Sequence, residues 1–333
     1  MSLVGFLENQ RAIIDAEIAR VIPRDSPAQE LYDAQQRFID EGGKRWRPIV
    51  CMLVHQALGG DAERVLPFAA GMELVHNFSL IHDDIEDGDR SRRGRPTVWV
   101  LHGIPKAINI GDSLLNKAYE CVARLREEGF SAEMTLVSLR MLCRSMILLS
   151  EGQAMEMDLR NRWDVTEAEY MEMVWRKTGI LVSTAAAGGA YLAGAGDSVV
   201  QGMMDYGKLI GPAFQITDDV LNVAGEYGKY KKEIGGDIRE GKKTLIVIHL
   251  LQHLSRRQRA RVETILAKPR RRTTREDCRY VVDLMEKHGS IGYARGVAEQ
   301  KLSEAKMKLM ILPESAHRDR LGELTDFLVR RDF

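Results

Sequence analysis

The chain is poor in aromatic residues: 6% of its 333 positions are Phe, Tyr or Trp. That scarcity, beside frequent Ala, Leu and Met, disfavours a sheet-rich core and favours helix. It has only four cysteines, Cys51, Cys121, Cys143 and Cys278, and they lack metal-type spacing. A zinc finger or ribbon is thereby excluded, and the cysteines read as reduced thiols of a cytoplasmic protein. Neither charge sign is in excess, because 48 basic residues balance 48 acidic ones. Nothing in the global charge points to nucleic acid. No uninterrupted apolar run reaches the roughly 18–20 residues of a spanning helix. The N-terminal stretch also turns charged too early for a signal peptide. The expectation is a soluble protein without a transmembrane segment, with peripheral membrane contact left open.

What the chain does have is helical periodicity almost throughout. Leu7, Ile13, Ile14 and Ile18 show it early, and Val281, Leu284 and Met285 show it late. No stretch keeps a period-two alternation bounded by turn signals. Breakers separate the runs at residues 23–27, 59–60, 88–96, 103–105, 194–196 and 225–241. With no linker, composition shift or short repeat, one all-α domain over residues 1–333 is expected. The small-residue run 184–196 (TAAAGGAYLAGAG) reads as a central helix closely approached by its neighbours. The basic run 268–275 (KPRRRTTR) reads as a solvated loop, with contact to anionic lipid or an acidic partner as the alternative.

Two aspartate-rich stretches stand 135 positions apart, DDIED at 83–87 and DDVLN at 218–222. Residues i and i+4 of a helix share a face, so Asp83 and Asp87 point one way with Asp84 beside them. Asp218 and Asn222 do the same, and Glu226 extends that row. Crowded carboxylates resist ionisation unless a cation joins them. Oxygen-only ligands suit a hard ion such as magnesium. Two such faces turned toward each other would hold magnesium ions around a polyphosphate.

Cations accompany the acids. GGKRWRP (42–48) sets Lys44, Arg45 and Arg47 around a glycine pair, and RRGRPT (92–97) follows the first acidic row. Lys177-Thr178, Lys232 and Lys242-Lys243 come later. Arginine forks match phosphate oxygens. Carboxylates and guanidiniums together suit an anion delivered with its metal; a plain metal buffer would not need the arginines.

These segments, with SLIHDDIEDGDRSRRGRPT (79–97), GQAMEMD (152–158), KTG (177–179), FQITDDVLN (214–222) and GGDIREGKKT (235–244), occur in one order. The set resembles the trans-isoprenyl diphosphate synthases, or polyprenyl synthetases, over residues 42–244, with a helical tail beyond. The resemblance implies long helices around a deep central cavity, usually in a homodimer. It implies that Asp83, Asp87 and Asp218 bind metal, with Asp84 supporting and Asp219 and Asn222 nearby. It further implies about three magnesium ions per site. Arg92, Lys177 and Lys232 would hold the allylic diphosphate, and Lys44, Arg47, His76 and Arg93 that of isopentenyl diphosphate. Thr178 and Gln215 would face the carbocation.

The implied reaction is head-to-tail condensation of isopentenyl diphosphate with an allylic diphosphate. Ionising the allylic carbon–oxygen bond requires neutralising the departing diphosphate. Each close opposite-charge pair contributes about 4 kcal/mol at an effective dielectric near 20. Phe78, five residues before Asp83, would stand about 7.5 Å below the reacting end, where the tail must grow. In the resembled family an aromatic there blocks long tails. The compact motif with Phe78 resembles the archaeal type of geranylgeranyl diphosphate synthase, so a twenty-carbon product is expected, with farnesyl and geranylfarnesyl diphosphate as neighbours.

Three positions depart from the pattern: Asn222 replaces a third aspartate, Trp99 a frequent histidine and Ile246 a frequent proline. Rival readings are a terpene cyclase, supported by Asp218, Asn222 and Glu226 at i, i+4 and i+8, and a di-iron carboxylate protein. The latter would use the ExxH pairs Glu73–His76 and Glu314–His317. An inactive regulatory subunit is the non-enzymatic alternative, disfavoured because both acidic rows are kept.

Overall fold

The structure, a computed structural model, describes residues 2–224 and 235–330. Helices dominate. In chain order they are α1 (Leu3–Ala19), α2 (Gln29–Asp40), α3 (Trp46–Ala57), α4 (Ala62–Glu86), α5 (Val98–His102) and α6 (Ile104–Ala123). There follow α7 (Ala132–Arg160), α8 (Glu167–Val174), α9 (Ile180–Leu192), α10 (Asp197–Ala224) and α11 (Gly236–Arg239). The series ends with α12 (Leu245–His253), α13 (Arg256–Leu266), α14 (Arg275–Lys287), α15 (Ser290–Lys308) and α16 (Ala316–Val329). Their starts carry the expected caps. Thr166–Glu169, Ser255–Gln258 and Thr274–Asp277 form reciprocal capping boxes, and the Thr244 hydroxyl accepts from Val247 N. Among the described residues the only strands are β1 (Ser91–Arg92) and β2 (Arg95–Pro96), a two-rung antiparallel hairpin. Its turn residues Arg93 and Gly94 both have positive φ, as a type I′ turn requires.

The chain divides into two compact units. The first comprises residues 1–146, 181–207 and 308–324. Its centre is α4, which packs most extensively on α6 and then on α3 and α1. Small residues allow the close approaches. A Cβ at Gly71 would lie 2.7 Å from Val122 of α6, and one at Gly189 would lie 2.3 Å from the carbonyl of Cys51. The small-residue run is thus a buried helix pressed by its neighbours, as its composition suggested. No disulfide joins the four cysteines, and burial pushes the Cys51 thiol far above its ordinary value.

The second unit comprises residues 147–180, 208–307 and 325–333. Between α8 and α9 the chain widens into a π-helical turn, Trp175–Gly179. Two glycines accommodate that turn. A Cβ at Gly152 would lie 2.4 Å from Lys177 N, and one at Gly211 would lie 2.2 Å from Gly179 Cα. Gly211→Ala should therefore destabilise the protein by about 1–3 kcal/mol, because backbone has no rotamer by which to retreat. Gly296→Ala, on α15 with nothing within 4 Å, should stabilise by about 0.5–1 kcal/mol. Urea denaturation of both variants tests the pair, and a neutral Gly211→Ala would contradict the tight crossing. Among the described residues no helix is long and apolar enough to cross a membrane.

Candidate active site

The first acidic row lies on the last turn of α4. Asp83 and Asp87 are half-buried, while Asp84 is buried on the inner side with Ile81. Asp84 accepts Arg92 Nε at 2.8 Å and 3.0 Å, and Nη2 lies 2.7 Å from its Oδ1. Burial pushes the Asp84 carboxyl up, and Arg92 opposes it. The hairpin turn then carries Arg93 back to the glycine pair, where it donates to Gly42 O. Gly42 and Gly43 both have positive φ, and a Cβ on Gly43 would lie 2.6 Å from the Arg45 guanidinium.

Arg45 turns inward. It adopts φ +50° and is fully buried, donating to Asp15 at 2.7 Å, Glu73 at 3.2 Å, Gly42 O at 2.8 Å and Ile39 O at 2.6 Å. Arg47 is buried with its guanidinium 4.5 Å over the Trp46 ring, and Lys44 is exposed. His76 is held well below the ordinary imidazole range, by burial first and then by Arg47, Arg93, Arg92 and Arg45. It is neutral at physiological pH, a ring N–H donor among guanidiniums. One turn further along α4, the Phe78 and His82 rings pack 4.5 Å apart against α6 at Gly111.

The depressed His76 has a stability consequence. An unfolded imidazole protonates near about pH 6.5. Below that pH the unfolded chain binds a proton that folded His76 refuses, so stability falls as pH drops. His55 and His249 are shifted the same way by burial and add to the loss. Denaturation midpoints of the ligand-free protein should drop between about pH 7.5 and about pH 5.5, and His76→Gln should reduce that drop without abolishing it. An identical drop in the variant would remove His76 from the effect.

The second unit carries the other predicted residues that the structure describes. The π-helical turn presents Lys177, whose Nζ lies 2.7 Å from Glu156. Glu156 also accepts Arg160 at 2.5 Å. Burial alone would raise this carboxyl, but Lys177, Lys242 and Arg160 hold it down to about 2. Glu156 lies within GQAMEMD without a motif signal of its own, and its one cue in the sequence is the i,i+4 ion-pair spacing to Arg160. Next to Lys177, Thr178 Oγ1 donates to Gln215 Oε1 at 3.1 Å. Gln215 Nε2 donates to Asp219 at 2.9 Å, and Tyr170 OH donates to the other Asp219 oxygen at 2.7 Å. Burial, then Asp237, pushes Asp219 up to about 8. Asp218, the preceding residue on α10, is half-buried.

The polyprenyl synthetase family model matches residues 28–285. The chain is 38% identical over 332 residues to a short chain isoprenyl diphosphate synthase of Methanothermobacter thermautotrophicus, covering 100% of this chain and 99% of that one. It is likewise 38% identical over 333 residues to a geranylgeranyl diphosphate synthase of Methanosarcina mazei, with 100% and 99% covered. The chain belongs to the polyprenyl synthetase family. Its fold matches the crystal structure of geranylgeranyl pyrophosphate synthetase from Pyrococcus horikoshii with a TM-score of 0.91 at 37% identity, covering 99% and 98% of the two chains.

As a polyprenyl synthetase the chain is an all-α trans-prenyltransferase. Its departures from the family pattern have structural counterparts. Asn222 is buried, and its side-chain oxygen accepts Asp237 N at 3.1 Å while its backbone oxygen accepts Gly235 N at 2.7 Å. It anchors the segment that opens α11. Trp99 Nε1 donates to Asp89 O at 2.7 Å, a bond that a histidine ring N–H can also make. Lys232 and Glu226 lie outside the described residues. The di-iron reading finds no support, since the Glu73 carboxylate takes Arg45 and the Glu314 side chain is 89% exposed.

The donor set fits magnesium of a particular kind. Among the described residues no three His, Cys, Asp or Glu side chains form a ready-made metal cage. Asp83 and Asp87 offer carboxylate oxygens alone. Magnesium characteristically takes one or two carboxylates and completes its shell with water and substrate phosphate. The row on α4 suits an ion that arrives with a diphosphate.

Proposed function

We propose that this polyprenyl synthetase condenses isopentenyl diphosphate with allylic diphosphates and releases mainly geranylgeranyl diphosphate. The observation that carries this reading is the end of α4: a half-buried pair, Asp83 and Asp87, with Arg92 close to Asp83 and neutral His76 two turns earlier among Arg47, Arg92 and Arg93. Asp83, Asp87 and Asp218 would hold magnesium, which when bound neutralises the departing diphosphate.

The chain's own residues supply the rest. Arg47, Arg93 and Lys44 bind the diphosphate of isopentenyl diphosphate, and His76 donates a hydrogen bond without adding charge. Arg92, positioned by Asp84, and Lys177, positioned by Glu156, bind the allylic diphosphate together with Lys232. Thr178 and Gln215 turn oxygen dipoles toward the developing cation, and the Asp219–Tyr170 pair sets the Gln215 amide. Water must be kept from that cation. After the double bond attacks, the departed diphosphate accepts the proton. A homodimer belongs to the same reading, supported by the exposed apolar side chains of Leu101, Ile104 and Ile108 on α5 and α6.

The test is incubation with isopentenyl diphosphate and each of the five-, ten- and fifteen-carbon primers, with magnesium or with chelator. Chromatography of the dephosphorylated alcohols should show geranylgeraniol, and chelator should abolish it. Turnover that survives chelation, or a cyclic hydrocarbon made from geranylgeranyl diphosphate alone, would overturn the reading.

A further inference from the structure

The basic run that the active-site reading leaves unused proves to be one part of a larger surface. Residues 255–280 hold ten Lys and Arg against three acids, in a chain whose total charge is balanced. Three of the ten are neutralised: Arg259 by Glu263, Lys268 by Asp277 and Arg270 by Glu240. The exposed remainder is arranged by the helices. α13 presents Arg256 at its start and Arg257 and Arg261 one turn apart, the connection presents Arg271 and Arg272, and α14 presents Arg275 and Arg279 one turn apart. None of these seven is ion-paired with a carboxylate among the described residues. The Arg261 guanidinium lies 3.7 Å over the Tyr280 ring, which joins the α13 arginines to those of α14. Glu276, Asp283 and Glu286 are exposed on α14 and leave the excess positive.

We propose that this arginine belt of the second unit docks the enzyme on an anionic phospholipid bilayer. Arginine forks suit the phosphodiesters of headgroups. The belt follows helix surfaces and a connection and needs no pocket. Its one aromatic ring, Tyr280, is covered by Arg261, so it offers no stacking platform of the kind that single-stranded nucleic acid uses. The choice of a bilayer also rests on the proposed product, a charged head on a hydrocarbon tail that partitions into lipid. Docking there would deliver product where its tail is soluble.

Sedimentation of the full chain with vesicles tests this independently of catalysis. Phosphatidylcholine vesicles are compared with vesicles that also contain phosphatidylglycerol, at about 0.1 M and about 1 M salt, where the screening length falls from about 10 Å to about 3 Å. Binding is expected only to the anionic vesicles and only at the lower salt. Each arginine is worth about fivefold in partitioning, so R271Q/R272Q/R275Q/R279Q should weaken binding by on the order of 10²–10³-fold. The same variant should keep wild-type turnover in vesicle-free solution, since none of the four belongs to the proposed active site. A control, R24Q/R140Q/R144Q, removes exposed arginines of the first unit and should bind like wild type. Equal binding to neutral vesicles, no binding to anionic ones, or retention by the belt variant would overturn the proposal. Tighter binding to duplex DNA than to anionic vesicles at the same salt would overturn the assignment to lipid. Loss of prenyl transfer with vesicle binding intact would sink the catalytic reading and leave the docking surface standing.

Discussion

Asp83→Ala is expected to lower turnover by about 10²–10³-fold or more while leaving the fold intact. Asp83 sits half-buried on the last turn of α4, where its carboxylate can reach an ion shared with diphosphate oxygens. Losing it removes charge stabilisation that matters most when the carbon–oxygen bond is breaking, so the effect should fall on turnover more than on substrate affinity. Asp83→Asn keeps the shape and loses the charge, and it should be nearly as damaged. The magnesium concentration needed for half-maximal rate should rise in both. Asp84→Asn provides the contrast. It strips a buried partner from Arg92, so it should lower thermal stability as well as activity. Wild-type-like turnover of Asp83→Ala at any magnesium concentration would remove Asp83 from the mechanism.

Much of this site was legible in the sequence because its chemistry is periodic. Asp83 and Asp87 share a helix face by spacing alone, and the apolar run before them identifies that face as a border between core and site. The roles inside GGKRWRP were not legible. Lys44, Arg45 and Arg47 look alike in one dimension, and the left-handed backbone at Arg45 sends that one guanidinium into the core. The same limit applies to Arg92, whose partnership with Asp84 depends on a type I′ hairpin turn built by Arg93 and Gly94. Glu156 was hidden for a different reason. Its partner Lys177 is 21 positions away, and the π-helical turn that brings the two together has no periodic signature. The upward shift of Asp219 likewise comes from burial and then Asp237, against the hydrogen bonds from Gln215 and Tyr170, a setting that only tertiary structure assembles.

Phe78→Ala is expected to lengthen the product, from twenty carbons to twenty-five or beyond. The ring stands on α4 five residues before Asp83 and packs toward α6, 4.5 Å from the His82 ring. A tail growing away from the acidic row along α4 meets this pair first. The pair packs on α6 at Gly111, where an added Cβ would lie 2.6 Å from His82 and 3.6 Å from Phe78. On the proposed reading each added isoprene unit must displace the ring or stop. Truncation to alanine removes the obstacle. Phe78 is only half-buried, so its loss should cost less than the roughly 3–5 kcal/mol of a fully buried phenylalanine. Phe78→Leu, which retains bulk, should shift the product less than Phe78→Ala. The ratio of alcohols after dephosphorylation reports the change, with melting temperature checked alongside. A product profile unchanged in Phe78→Ala, from a variant that folds and turns over normally, would place the floor of the chain-length site on another residue.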